Sequence, residues 1–167
     1  MTISGPNNFH SDTNKQYIII VIVLTFISPA LGLIIEHLAG KSPLTFNLFC
    51  KWFIFFAVGV RLFTAGMRQT TNPAFTAREI FRLHNTDSFP ILRELGFANL
   101  CFGLVGIISL FRPGWRIVSA FASGLYYGLA ALQHLIKKPA GTNERFALWT
   151  DLLAFLVLAA YCIMAMR

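Results

Sequence analysis

Five apolar runs, each about as long as a membrane-spanning helix, occupy most of this chain. The first, residues 17–35, contains no charged side chain. Because a helix rises about 1.5 Å per residue, such a run can cross a hydrocarbon core about 30 Å thick. Only 13% of the residues are charged and mean hydropathy is +0.63, whereas soluble domains carry roughly a quarter charged residues. The sequence therefore predicts an integral membrane protein.

The predicted fold is an all-α helical bundle in one transmembrane domain, 17–167, behind a polar tail, 1–16. The five membrane spans are expected at about residues 17–35, 44–67, 92–111, 115–136 and 146–166. Between the second and third spans, Ala74 to His84 alternate apolar and polar side chains on a helical period. This pattern predicts a short amphipathic helix at the membrane interface, or else a helix in a solvated loop.

The basic residues indicate an orientation. Five spans place the two termini on opposite sides. With the N-terminus inside, eight Lys and Arg lie in cytoplasmic segments and five on or near the other side. This bias predicts a multi-pass membrane protein with a cytoplasmic N-terminus. The net charge of +7 is therefore read as topology signalling and lipid contact, and nucleic-acid binding is not expected.

Glycines form stripes along two of the predicted spans. In the third span they stand at Gly96, Gly103 and Gly106, and in the fourth at Gly124 and Gly128. Small residues let helices approach closely in lipid. The stripes predict tight helix packing within one chain. Homo-oligomerisation through the fourth span is the alternative.

Five polar side chains lie inside these apolar runs and toward the same membrane face. They are Arg61, Glu94, Asn99, His134 and Asp151. A charge at membrane depth is costly, so such a residue usually has a partner or a function. The five are the candidate residues of a polar pocket that opens toward one leaflet.

Arg61 and Asp151 are the expected partners in this pocket. Counted from the ends of their spans, each lies roughly 8–9 Å deep, and a guanidinium can bind a carboxylate through two hydrogen bonds. The pair has three interpretations: a structural ion pair that sets helix register, a contact to a ligand, or the wall of a shallow aqueous vestibule.

Glu94 and His134 are shallower and more ambiguous. Glu94 can pair with a nearby Arg or lie at the start of the third span, where the helix dipole favours an anion. As a proton-transfer group it would need burial. A lone His such as His134 is more often a packing residue than a ligand, and no metal site is predicted.

Residues 59–66, GVRLFTAG, and 93–99, RELGFAN, resemble small proteins of the bacterial cytoplasmic (inner) membrane, either DoxX-like proteins or related uncharacterised families with four or five spans. The resemblance covers roughly residues 52–165 and implies a helical bundle in a bacterial membrane. Some DoxX-like members are linked to quinone or thiol redox complexes. The extra span and the segment 68–91 depart from the simpler four-helix pattern of that family.

These observations favour a protein that binds a lipophilic small molecule or lipid, or acts as a subunit of a membrane complex. No resident cofactor is predicted, although a quinone or a lipid would suit the pocket. One alternative is an enzyme that uses Glu94 or Asp151 with His134 for acid–base or redox chemistry on a quinone-like substrate. A second alternative is a transporter with Glu94 and Asp151 as a proton relay.

Overall fold

The computed structural model describes residues 15–40, 42–81, 83, 85–139 and 141–167, and all regular structure in these ranges is helical. The long helices are α1 (Lys15–Leu38), α2 (Phe46–Thr71), α4 (Phe89–Phe111), α5 (Trp115–Lys137) and α6 (Thr142–Ala165). Between α2 and α4 lies the short α3, which is Pro73–Phe75 continued by wider turns at Thr76–Phe81. Most of the predicted tail lies outside the described residues, while Lys15 and Gln16 begin α1.

Four helices in the described part of the chain, α1, α2, α4 and α6, are long and apolar enough to cross a membrane. The protein is thus a multi-pass helical membrane bundle. Helix α5 is as long as α4 but falls outside this group. It carries hydroxyl, amide and imidazole side chains, such as Ser119, Gln133 and His134, which lower its hydropathy. A fifth span over 115–136 stays a prediction.

Wide, π-helical turns occur in α1 and α2 as well as in α3. In α1 the Ser28 N–H donates to the Val23 carbonyl, five residues back, directly before Pro29. Proline has no N–H to continue the ordinary ladder, so a local change of register accompanies it. In α2 the wide turns cover Ile54–Val60 and end at Arg61. Such turns rotate the residues that follow them and are frequent at functional sites.

Helices α2 and α4 approach each other so closely that side chains at their glycines would clash. A Cβ atom on Gly106 would lie 2.7 Å from the Cα of Gly59, and one on Gly66 would lie 2.6 Å from the Gly96 carbonyl. A Cβ on Gly103 would meet the backbone nitrogen of Phe63. The predicted stripe on the third span is therefore the contact surface for the second.

The glycines of α5 serve its packing against α6. A Cβ on Gly128 would lie 2.9 Å from the Phe155 ring, and one on Gly124 would lie 3.3 Å from Leu158. Both partners belong to α6 of the same chain. The structure thus uses these two glycines for packing within one bundle, and homo-oligomerisation through the fourth span stays a prediction.

Helix α3 packs against the bundle. Ala77 is fully buried, and the Phe81 ring stacks on that of His134 with centroids 6.3 Å apart. The regular helix ends at Phe81, shorter than the predicted Ala74 to His84, and His84 lies outside the described residues. The apolar face of α3 therefore covers one end of the bundle, and its placement at the membrane interface stays a prediction.

The opposite end of the bundle is held by a separate polar cluster. Glu36, near the end of α1, accepts hydrogen bonds from Lys51 Nζ at 2.6 and 2.8 Å and from Trp52 Nε1 at 2.9 Å. These contacts tie α1 to the beginning of α2. Lys51 and Glu36 thus form an ion pair at the opposite end of the bundle from Arg61.

Candidate functional site

Arg61 and Asp151, predicted as partners, form a buried ion pair. Arg61 Nη2 donates to Asp151 Oδ1 at 2.8 Å and to Thr150 Oγ1 at 3.2 Å. Arg61 and Asp151 are each 8% exposed. The pair joins α2 to α6. Hydrogen bonds between charged groups are shorter and stronger than neutral ones, so this contact ties the two helices together.

Tyr127 supports this pair from α5. Its ring lies 5.2 Å from the Arg61 guanidinium carbon, and its hydroxyl donates to the Ala57 carbonyl at 2.7 Å. Ala57 belongs to the wide turns of α2, where the ordinary hydrogen-bond pattern is interrupted. Tyr127 was not among the candidate site residues. Its spacing of seven residues from His134, which places both on one face of a helix, was the available signal.

Asn99 is bound to a residue that the sequence analysis missed. Its Nδ2 donates to Gln69 Oε1 at 2.6 Å, and the two side chains are 3% and 9% exposed. Gln69 was overlooked because the second span was expected to end at residue 67, whereas α2 continues to Thr71. The extra turn brings a polar side chain of α2 beside the middle of α4.

His134 lies in a second charged group, at the end of the bundle covered by α3. Its Nδ1 is 3.6 Å from Glu144 Oε1, and Lys137 Nζ is 3.3 Å from the same atom. Glu144 is only 1% exposed. It was missed because it precedes the predicted fifth span, although α6 already begins at Thr142. The His134 imidazole is thus next to the buried carboxylate of Glu144.

Glu94 does not join the other four candidate residues. It is exposed and does not line the cavity described below. The buried positions nearest to it in α4 are Leu92 and Gly96, two residues away on either side. Since two residues correspond to about half a helical turn, Glu94 lies on the opposite face. The structure therefore does not bring Glu94 together with the other four candidate residues.

The remaining four candidates line one cavity of about 230 Å³, together with polar and aromatic side chains from α1, α2 and α5. The lining includes Tyr17, Arg61, Arg68, Gln69, Asn99, Tyr126, His134 and Asp151. Apolar side chains such as Ile20, Leu62 and Leu95 complete the wall. Helix α3 contributes Phe75, Thr76, Ile80 and Phe81, and thus closes one side.

Two buried polar atoms on this wall lack a hydrogen-bond partner within the described residues: Arg61 Nη1 and Asn99 Oδ1. A buried donor or acceptor without a partner costs about 1–3 kcal/mol. Two of the residues that line the cavity thus carry a buried polar atom without a partner, and the rest of the wall is mostly apolar. Such a wall suits a small molecule with a polar head and an apolar body.

Comparison with known proteins yields one match. Residues 15–167 match a family described as a family of unknown function, DUF6790. No curated protein and no solved structure matches the chain. The resemblance to DoxX-like proteins stays a prediction. Because the match covers nearly the whole chain, the protein belongs to the family of unknown function DUF6790.

Proposed function

We propose that this chain is a five-span protein of a bacterial inner membrane that holds a lipophilic small molecule or lipid in the cavity beside Arg61 and Asp151. One observation carries the proposal. Arg61 and Asn99 both line this cavity, and Arg61 Nη1 and Asn99 Oδ1 are buried there without a geometric hydrogen-bond partner among the described residues. A bound polar head would satisfy both atoms and remove the cost of leaving them unpaired.

The distribution of side chains on α5 supports the fifth span. Three of its polar residues, Ser119, Ser123 and His134, are buried within the bundle, while Gln133 is exposed near the end of the helix. Seven of its large apolar side chains are at least half exposed: Val118, Phe121, Leu125, Leu129, Leu132, Leu135 and Ile136. A helix that is polar inside and apolar outside suits a lipid surrounding better than water. A mean hydropathy averages over both sides of the helix, so it does not show this difference between the buried and the exposed side.

Topology can be tested with reporters fused to the two termini. With five spans and a cytoplasmic N-terminus, we expect alkaline phosphatase fused after Arg167 to be active. We expect green fluorescent protein fused before Met1 to fluoresce in the same bacterial host. An inactive phosphatase at the C-terminus, together with a fluorescent C-terminal fusion, would place both termini inside and remove α5 from the spans.

Two other functions suggested by the sequence compare less well with the geometry. The proton relay used Glu94 together with Asp151, and Glu94 lies outside the cavity. Acid–base chemistry on a quinone-like substrate has one favourable observation, since His134 lines the cavity with Glu144 only 3.6 Å from its Nδ1. That chemistry would require a bound ligand first, so ligand binding is the function to test.

The binding proposal predicts that the protein retains a small molecule when it is transferred from bacterial membranes into nanodiscs. Native mass spectrometry and solvent extraction would measure the retained molecule. Ala130 lines the cavity, and Ala130→Phe should abolish retention by filling the space. Arg61→Lys keeps a positive charge beside Asp151 but removes the second guanidinium donor. We expect it to reduce retention about tenfold, as for one lost hydrogen bond to a charged group.

Two matched variants serve as controls. Ala160 is exposed on α6, away from the cavity, so Ala160→Phe adds the same ring without filling it. Lys51→Arg exchanges the cation of the ion pair with Glu36 at the other end of the bundle. Both should retain the molecule as the unmodified protein does. If Ala130→Phe and the unmodified protein retain the same molecules in equal amounts, the proposal is wrong.

A further inference from the structure

We infer that the cavity selects amphiphiles with an anionic head group over neutral ones, and that Arg68 supplies this selectivity. The inference rests on the proposed function, because it names the class of molecule that the cavity would hold. The side chains that line the cavity carry a net positive charge. Among the described residues that line the cavity, there are two arginines, Arg61 and Arg68, and one carboxylate, Asp151.

Arg61 does not account for the excess charge. Its guanidinium lies 2.8 Å from Asp151, so the two charges largely cancel. An anion beside Arg61 alone would also face the Asp151 carboxylate, which would oppose it. Arg61 therefore contributes a hydrogen-bond donor through Nη1, and the net charge of the wall must come from another residue.

Arg68 is that residue. It stands seven positions after Arg61, which places both side chains on the same face of α2. Its guanidinium carbon lies 3.3 Å from the centroid of the Phe75 ring in α3. Within the described ranges no carboxylate lies within ion-pair distance of it. The contact with Phe75 orients the guanidinium but leaves its charge without a counter-ion.

The carboxylate of Glu144 does not compensate Arg68 either. It lies behind His134, within 3.6 Å of that imidazole and 3.3 Å of Lys137, and it does not line the cavity. The wall that a ligand meets thus carries one unmatched positive charge beside apolar surface. In a membrane protein such a charge usually pairs with an opposite one, and a guanidinium binds carboxylate or phosphate oxygens through two hydrogen bonds.

The size and lining of the cavity restrict the anion further. A volume of about 230 Å³ accommodates a head group with the first part of a chain. Ile20, Leu62 and Leu95 provide apolar contacts for that part of the chain. The expected ligand is an amphiphile whose carboxylate or phosphate lies between Arg68 and Arg61 Nη1. Both a free long-chain carboxylic acid and an anionic phospholipid present such a head.

A matched pair of probes tests the role of charge. Palmitate and hexadecanol have the same chain length and differ in the charge of the head. Each would be labelled with ¹³C at the first carbon and added to the full-length protein in phosphatidylcholine nanodiscs, with Ala130→Phe discs as the blank for partition into lipid. We expect palmitate to bind about tenfold more tightly than hexadecanol, because charge-assisted hydrogen bonds are stronger than neutral ones.

Arg68→Gln should abolish this preference, while Arg93→Gln should preserve it. Arg93 is exposed near the start of α4, at the same end of the bundle, but does not line the cavity. The second substitution therefore removes an equal charge from the same region. A preference that survives Arg68→Gln, or that disappears equally in Arg93→Gln, would overturn the assignment to Arg68.

The remaining outcomes separate this inference from the proposed function. Equal binding of palmitate and hexadecanol would keep the cavity as a binding site and overturn charge selection, as expected for a neutral ligand such as a quinone. Binding of neither probe above the blank would contradict both proposals.

Where palmitate is preferred, adding phosphatidylglycerol to the discs identifies the source of the anion. Competition indicates a lipid head group, and its absence indicates a free acid; both support anion selection.

Discussion

Asp151→Ala is expected to lower the free energy of unfolding by about 3–5 kcal/mol, because it leaves the buried Arg61 guanidinium without its counter-charge. The Thr150 hydroxyl, at 3.2 Å, would be the remaining hydrogen-bond partner of Arg61 Nη2 among the described residues. The double variant Arg61→Met with Asp151→Ala should recover most of this loss, since it removes both charges together. Thermal unfolding in detergent micelles, followed by circular dichroism, would measure the order of stabilities.

The ion pair at the other end of the bundle is the matched control for this prediction. Lys51→Met leaves Glu36 without its cation, but these two side chains are 20% and 13% exposed, and Trp52 and Ser42 still donate to the carboxylate. Its loss of stability should be clearly smaller than that of Asp151→Ala. A double variant at Arg61 and Asp151 that is no more stable than the single variant would contradict the argument.

Gly103→Ile is expected to cost about 3 kcal/mol, the upper part of the range for overpacked cores. A Cβ atom at this position would meet the backbone of Phe63, which can move only if α2 as a whole moves away from α4. Because α2 carries Arg61 and α4 carries Asn99, separation of these helices would also open the cavity. The same measurement of unfolding in micelles would detect the loss.

Gly114→Ile is the control for the glycine prediction. Gly114 lies in the turn before α5, and a Cβ built there meets no atom within 4 Å. The same side chain added there should change stability by no more than about 0.5 kcal/mol, as at other open surface positions. If the two substitutions have equal effects, the close approach of α2 and α4 at Gly103 is not what stabilises the pair.

The partnership of Arg61 and Asp151 could be predicted because the two residues lie at matched depth in their spans. A helix has a nearly constant rise per residue, so counting from the end of an apolar run places a side chain along the membrane normal. Depth does not determine the direction in which a side chain points around the helix axis. Helix α4 is apolar on nearly all sides, so its sequence could not show that Asn99 faces the cavity while Glu94 faces outward.

Gln69 and Glu144 show a second limit of the sequence. Both lie where a helix extends beyond the apolar run that predicted it, in the last turn of α2 and the first turn of α6. Hydropathy detects the part of a helix that contacts lipid, whereas hydrogen bonding along the backbone continues into polar residues. Polar side chains at such ends are bound within the bundle and are easily read as loop residues.

The amino-acid sequence by itself determined that this chain is a helical membrane protein with polar residues toward one face, since apolar length and helical rise are local properties. The tertiary structure decided which polar residues meet. The wide turns before Arg61, the glycine contacts between α2 and α4, and the packing of α3 over His134 set the rotation and spacing of the helices. These contacts join residues far apart in the chain, so no local pattern could reveal them.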